Sequence, residues 1–123
     1  MILHSYRDLI VWQKSMSLVV EIYKVTKLYP QSELYGLISQ TRRSAISIPS
    51  NIAEGRRRGS KKDFIHFLII AYASGAELET QVEIAKRLEF GKAQDFKAVD
   101  DLLDEVMRIL NILTNKNYDK FKS

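Results

Sequence analysis

Apolar residues recur at helical spacing in four stretches of the chain, and no alternating strand pattern of useful length interrupts them. The first runs from about residue 8 to 29, with Leu9, Trp12, Met16, Val19 and Tyr23 on one stripe, and Pro30 closes it. The second, about 33–57, carries Leu34, Leu37, Ile38, Thr41, Ala45, Ile48 and Ile52, with stop signals between Gly55 and Gly59. The third, about 61–89, carries Phe64, Phe67, Leu68, Ala71, Gly75, Leu78, Val82, Ala85 and Leu88, with Gly91 as its stop. The fourth, about 95–114, carries Val99, Leu102, Leu103, Val106, Leu110 and Leu113. Short connections make neighbouring helices antiparallel, so the pattern predicts an all-α, up-down four-helix bundle. At 123 residues the chain is sized for one domain spanning 1–123, and it shows no repeat or low-complexity linker.

The first helix is more apolar than a bundle requires. Gln13, Lys14, Ser17, Glu21 and Lys24 share one arc, and apolar side chains cover roughly 220° of the rest. Beside the first stripe lies a second, Val11, Leu18, Ile22, Val25 and Tyr29, which a bundle would leave exposed. Contiguous apolar area of that size marks an interface, so these five residues are the expected surface for homo-oligomerisation; the alternative is a thick core in which Val25 and Tyr29 are partly covered by the second helix and its loop. On the third helix the run Ala71, Ala73, Ser74, Gly75 and Ala76 predicts a close crossing, with Trp12 as the candidate partner for Gly75. Pro49 should bend or loosen the second helix around Ala45–Pro49, where Ser44, Ser47 and Ser50 can satisfy freed backbone groups. Asn51 and Glu54, one turn apart, are expected to be partly buried and paired.

Charge sharpens the picture at one place. The net charge is +4, yet the stretch Arg56–Lys62 alone holds five cations and no acid, leaving the remainder with one net negative charge. Ser60 followed by Asp63 reads as an N-cap of the third helix, close to a capping box. Lys61 and Lys62 then fall in a first helical turn, where the helix dipole disfavours cations. Arg56, Arg57, Arg58, Lys61 and Lys62 beside helix-start amides suit phosphate groups of RNA or DNA, with Arg42 and Arg43 as further candidates. Two other uses compete: a solvated face, or pairing with acids such as Asp95, Asp100, Asp101, Asp104 and Glu105, within the chain or on a protein partner. No aromatic lies inside the basic run, so base stacking is not indicated.

Catalytic patterns are missing. Cysteine is absent, which removes disulfides, thiolate zinc sites and thiol nucleophiles. Asp63 and His66 share a helix face, but the other histidine, His4, precedes the first helix, so a bundle metal site lacks its second half. The arginine that some small helical ribonucleases place shortly before their histidine is replaced here by Gly59, Ser60 and Lys61. Glu77 and Glu79 point to different sides of their helix and cannot act as a pair. The reading is a non-enzyme with no metal and no cofactor. With no secretion or membrane-insertion signal, a cytoplasmic bacterial location fits.

The segments RDLIVWQKSM (7–16), YGLISQTRRSAISIPSNIAEG (35–55) and KKDFIHFLIIAYASGAELETQVEIAKRL (61–88) together resemble the four-helix bundle family encoded in intervening sequences of bacterial 23S rRNA genes. That resemblance implies a ring, commonly a homopentamer. It extends to the accessory protein of diversity-generating retroelements, a similar basic barrel that binds nucleic acid and a reverse transcriptase. By matching position it implies Arg42, Arg43, Arg56, Arg57 and Arg58 as nucleic-acid-facing residues, and Asn51, Glu54, Glu77 and Glu79 as a structural polar set. Where family members often carry an aromatic after AEG, this chain has Arg56.

Overall fold

The computed structural model describes residues 5–122, with side chains described for 5–115. It holds four helices: α1 (Ile10–Thr26), α2 (Ser39–Arg57), α3 (Lys61–Arg87) and α4 (Lys97–Lys122). Single 3-10 turns at Tyr6–Asp8, Gln31–Glu33 and Ala93–Phe96 lead into the longer helices, and among the described residues there is no strand. The second helix starts later than its periodicity suggests. Leu34–Ile38 forms a π-helical turn in which Gly36 takes φ −115 and ψ −112, and the Glu33 carboxylate accepts the Leu37 amide at 3.1 Å. Pro49 does not interrupt α2, which continues helically through it with the proline ring buried. α4 runs beyond residue 114 to Lys122.

α1 packs against α2 and α4, and α3 packs against the same two helices. Leu18, Ile22, Ile48, Ile52, Leu68, Leu78, Val106 and Leu110 are fully buried where they meet. The inward stripe of α1 is Val11, Leu18, Ile22, Val25 and Tyr29, all at most 4% exposed, which corrects their assignment as a free oligomer interface. Ile10, Met16, Val20 and Tyr23 are exposed instead. Ser15 and Thr26 account for the reversal: both lie on the inward stripe and look polar in the sequence. Each hides its hydroxyl by donating to a carbonyl of its own helix, Ser15 to Trp12 at 2.9 Å and Thr26 to Ile22 at 2.7 Å, so each enters the core without an orphaned donor.

Two glycines set helix spacing. A Cβ at Gly75 would fall inside the Met107 thioether, so Met107 of α4, rather than Trp12, is the large residue opposite. At Gly55, inside α2 rather than beyond it, a Cβ would come within 2.6 Å of Phe67 Cβ and 3.4 Å of the Phe64 Cα, which pins α2 against α3. α3 ends without glycine. Glu89 adopts φ 58, and the Phe90 amide reaches the Ala85 carbonyl at 3.0 Å in a Schellman-type closure.

Candidate functional site

The α2–α3 turn is short and tightly held. Arg58 ends α2 with its amide on the Glu54 and Gly55 carbonyls, Gly59 supplies φ +87, and Ser60 Oγ accepts the Asp63 amide at 3.1 Å. This geometry turns Arg57, Arg58, Lys61 and Lys62 into solvent at one end of the bundle, while Arg56 is half-buried and makes contacts of its own. Arg58 is bound to Glu54 at 2.8 Å and lies 5.0 Å from the Phe67 ring. That hydrogen bond outweighs desolvation and, with the charges of Glu54 and Asp63, holds its pKa above the ordinary arginine value.

Tertiary packing brings in residues the linear reading missed. Arg57 lies 5.6 Å from the Tyr6 ring, and Arg7 lies 5.6 Å from both the Tyr6 and Trp12 rings. The basic end therefore includes Arg7, and aromatic rings interleave with its cations although none lies inside the sequence run. An isolated arginine some fifty positions upstream carries no local signal of this placement. His66, exposed on α3, sets its ring edge to face against Phe67 at 5.3 Å. His4 lies outside the described residues.

Arg42 and Arg43 are elsewhere. Thirteen helical positions separate Arg43 from Arg56, about 20 Å along α2. Arg42 is built into the α1–α2 contact: Nε donates to Thr26 Oγ1 at 2.9 Å, and the guanidinium stacks 4.3 Å above the Tyr23 ring. Arg43 is exposed beside it. The polar motif also divides. Asn51 donates to the Ser47 carbonyl at 2.8 Å and Ser47 Oγ at 3.0 Å, while Glu54 is exposed and binds Arg58, so these two are not each other's partners. Glu77 Oε1 accepts from Ser44 at 2.7 Å across α2–α3, whereas Glu79 lines the side of α3 that faces α4.

The acids of α4 meet cations of their own neighbourhood. Asp100 binds Lys86 at 2.8 Å, Asp101 binds Lys97, Asp104 binds Arg108 and Glu105 binds Lys14. Asp95 accepts the Lys92 amide. The competing reading, in which they pair with the loop arginines inside one chain, gives way to these local pairs. Adjoining the basic end at Tyr6 and Trp12, a groove of about 350 Å³ opens between α1 and α2, lined further by Met16, Val19, Ile46, Pro49 and Ala53. No helix among the described residues is long and apolar enough to cross a membrane.

Residues 7–112 match a family model described as 23S rRNA-intervening sequence protein. The chain is also similar to a crystal structure from Bacteroides thetaiotaomicron described as a protein of unknown function from the S23 ribosomal protein family. The two share 26% identity at a TM-score of 0.77, covering 85% of this chain and 98% of that one. No curated protein matches.

Proposed function

The chain belongs to the 23S rRNA-intervening sequence protein family, and from that premise we propose that it is a non-enzymatic, self-associating, antiparallel four-helix bundle that binds nucleic acid through phosphate contacts at its basic end. One observation carries the reading: Arg7, Arg57, Arg58, Lys61 and Lys62 gather around one short turn while the acids of α4 meet other cations. A dense positive end on a bundle this size concentrates phosphate-bearing polymers irrespective of sequence. The rings of Tyr6 and Phe67 beside those cations favour single-stranded or looped segments over plain duplex.

The test is a salt titration of binding to structured RNA, duplex DNA and single strands, repeated with Arg56, Arg57 and Arg58 all changed to Gln. The wild-type logarithmic slope should lose roughly 0.7–0.9 for each phosphate contact removed, on every sequence alike. An unchanged affinity and slope would overturn the assignment. Absence of binding at low salt, with an acidic protein retained instead, would turn the basic end into a protein-docking surface.

A further inference from the structure

The groove between α1 and α2 meets the basic turn at Tyr6 and Trp12. Pro49 and Ala53 line it from α2, and Met16 and Ile46, each 42% exposed, continue it along the bundle. Its volume of about 350 Å³ lies near the lower end of small-ligand sites, which run roughly 300–1,000 Å³. The polar atoms of its lining side chains are the hydroxyls of Tyr6 and Ser50 and the Trp12 indole nitrogen. Cations stand just outside: Arg7 and Arg57 each lie 5.6 Å from the Tyr6 ring, and Arg7 lies equally far from Trp12. An apolar slot and a pair of guanidiniums therefore share the same two rings. A nucleotide carries the matching halves, a base with apolar faces and an anionic phosphate, on one unit. We infer that one unpaired base of the bound nucleic acid turns into this groove and stacks against Tyr6 and Trp12, while Arg7 and Arg57 hold the flanking phosphates. This rests on the nucleic-acid reading above and names the part of the polymer that the bundle recognises.

The rings are held in place without a ligand. Ser5 Oγ accepts the Arg7 amide at 3.0 Å, the Leu9 amide reaches the Tyr6 carbonyl at 3.0 Å, and Gln13 Nε2 donates to the Arg7 carbonyl at 2.8 Å. The single turn carrying Tyr6 is thereby tied to the start of α1. Tyr6 packs edge to face with Trp12, the centroids 5.2 Å apart and the planes at 64°. Rings fixed in this way lose little freedom when a base stacks on them, which leaves more of the interaction as affinity. A base inside a duplex is already stacked and paired, and extracting it costs energy that a loop or single strand does not incur. With so few polar atoms in the lining, the groove grips the face of the base rather than its edge and is tolerant of sequence. An apolar peptide side chain would fill the slot and leave the guanidiniums unanswered, since among the described residues neither Arg7 nor Arg57 makes an ion pair. Charge complementarity selects the nucleotide.

Trp12 is the chain's one tryptophan, so its emission reports on the groove directly. The full chain is titrated with short oligoadenylate, as RNA and as DNA, and with an abasic strand of equal length, and melting curves confirm that each variant folds. Oligoadenylate should quench Trp12. The abasic strand keeps the phosphates and lacks the stack, so it should leave the emission unchanged and bind about tenfold more weakly, with the same salt slope. Ala53→Leu fills the groove. Ser50→Leu, at an exposed position of the lining, must act in the same way, so the test stands even if Ala53→Leu fails to fold. Each should bring oligoadenylate down to the affinity of the abasic strand and leave the slope as it was. Equal affinity of the wild type for the two strands, equal quenching by both, or a preference for bases that survives the leucine substitutions would overturn the base site while leaving phosphate binding standing. Binding of neither strand at low salt would overturn the nucleic-acid reading and the base site with it.

Discussion

Tyr29 is 4% exposed, with its ring against Phe90 at 5.4 Å and its hydroxyl buried without a partner. Burial makes the phenolate unfavourable, pushing the pKa up to about 12 from an ordinary 10.0. The sign follows directly. Between pH 10 and 12 the unfolded chain releases this proton and the folded chain keeps it, so the group's contribution is whole below pH 10 and falls as pH rises through 12. Tyr29→Phe should therefore be neutral or slightly stabilising at pH 7, since an orphaned hydroxyl is removed. The variant should also lose on the order of 2 kcal/mol less than wild type between pH 9 and 12, measured by urea unfolding at each pH. Equal pH dependence in the two proteins would show that Tyr29 ionises as freely folded as unfolded. The glycines give a second residue-scale contrast. Gly75→Ala meets the end of a methionine side chain that can rotate away, and alanine favours helix, so the change should cost under about 1 kcal/mol. Gly55→Ala meets Phe67 Cβ and the Phe64 backbone, which cannot yield without separating α2 from α3, and should cost about 2 kcal/mol or more. Denaturant midpoints of the two variants decide the order.

At the scale of elements, helix existence was legible, and so were the inward faces of α2, α3 and α4, whereas that of α1 was not. All four periodic stretches are helical, and the Ser60 cap holds as read, because both signals are local. Which stripe of α1 faces inward depended on Ser15 and Thr26 finding carbonyls in their own turn, and residue-type patterning scores such positions as polar. The late start of α2 depended on Gly36 leaving helical geometry, and apolar spacing carries no trace of that. The end of α3 is a similar case. Gly91 looked like the stop, yet the left-handed position belongs to Glu89, two residues earlier. A side chain there is strained where glycine would not be, so Glu89→Gly should stabilise the protein by roughly 0.5–1 kcal/mol despite the added freedom of the unfolded chain. Thermal unfolding at matched pH checks it, and a lowered melting temperature would mean that the Glu89 side chain makes a compensating contact.

Across the whole molecule, the five arginines that the family resemblance had put together separate into two groups. Spacing along α2 could place Arg42 and Arg43 about 20 Å from Arg56, but only the packed structure shows Arg42 committed to Thr26 and Tyr23. It likewise adds Arg7 and Tyr6 to the basic end, from a segment with no sequence proximity to the loop. The separation implies opposite phenotypes. Arg42→Gln breaks a charge-assisted hydrogen bond and a ring stack at the α1–α2 contact, so it should lower stability by about 1–2 kcal/mol. Lying far from the basic end, it should leave the salt slope of nucleic-acid binding as it was. Arg57→Gln with Arg58→Gln removes exposed cations whose neighbours are an exposed glutamate and two rings, so the fold should hold while the slope drops by roughly 1.4–1.8 if both arginines touch phosphate. Measuring melting temperature and salt slope on the same two preparations decides the matter. If Arg42→Gln flattened the slope without loss of stability, the phosphate path would run along the side of the bundle rather than across its end.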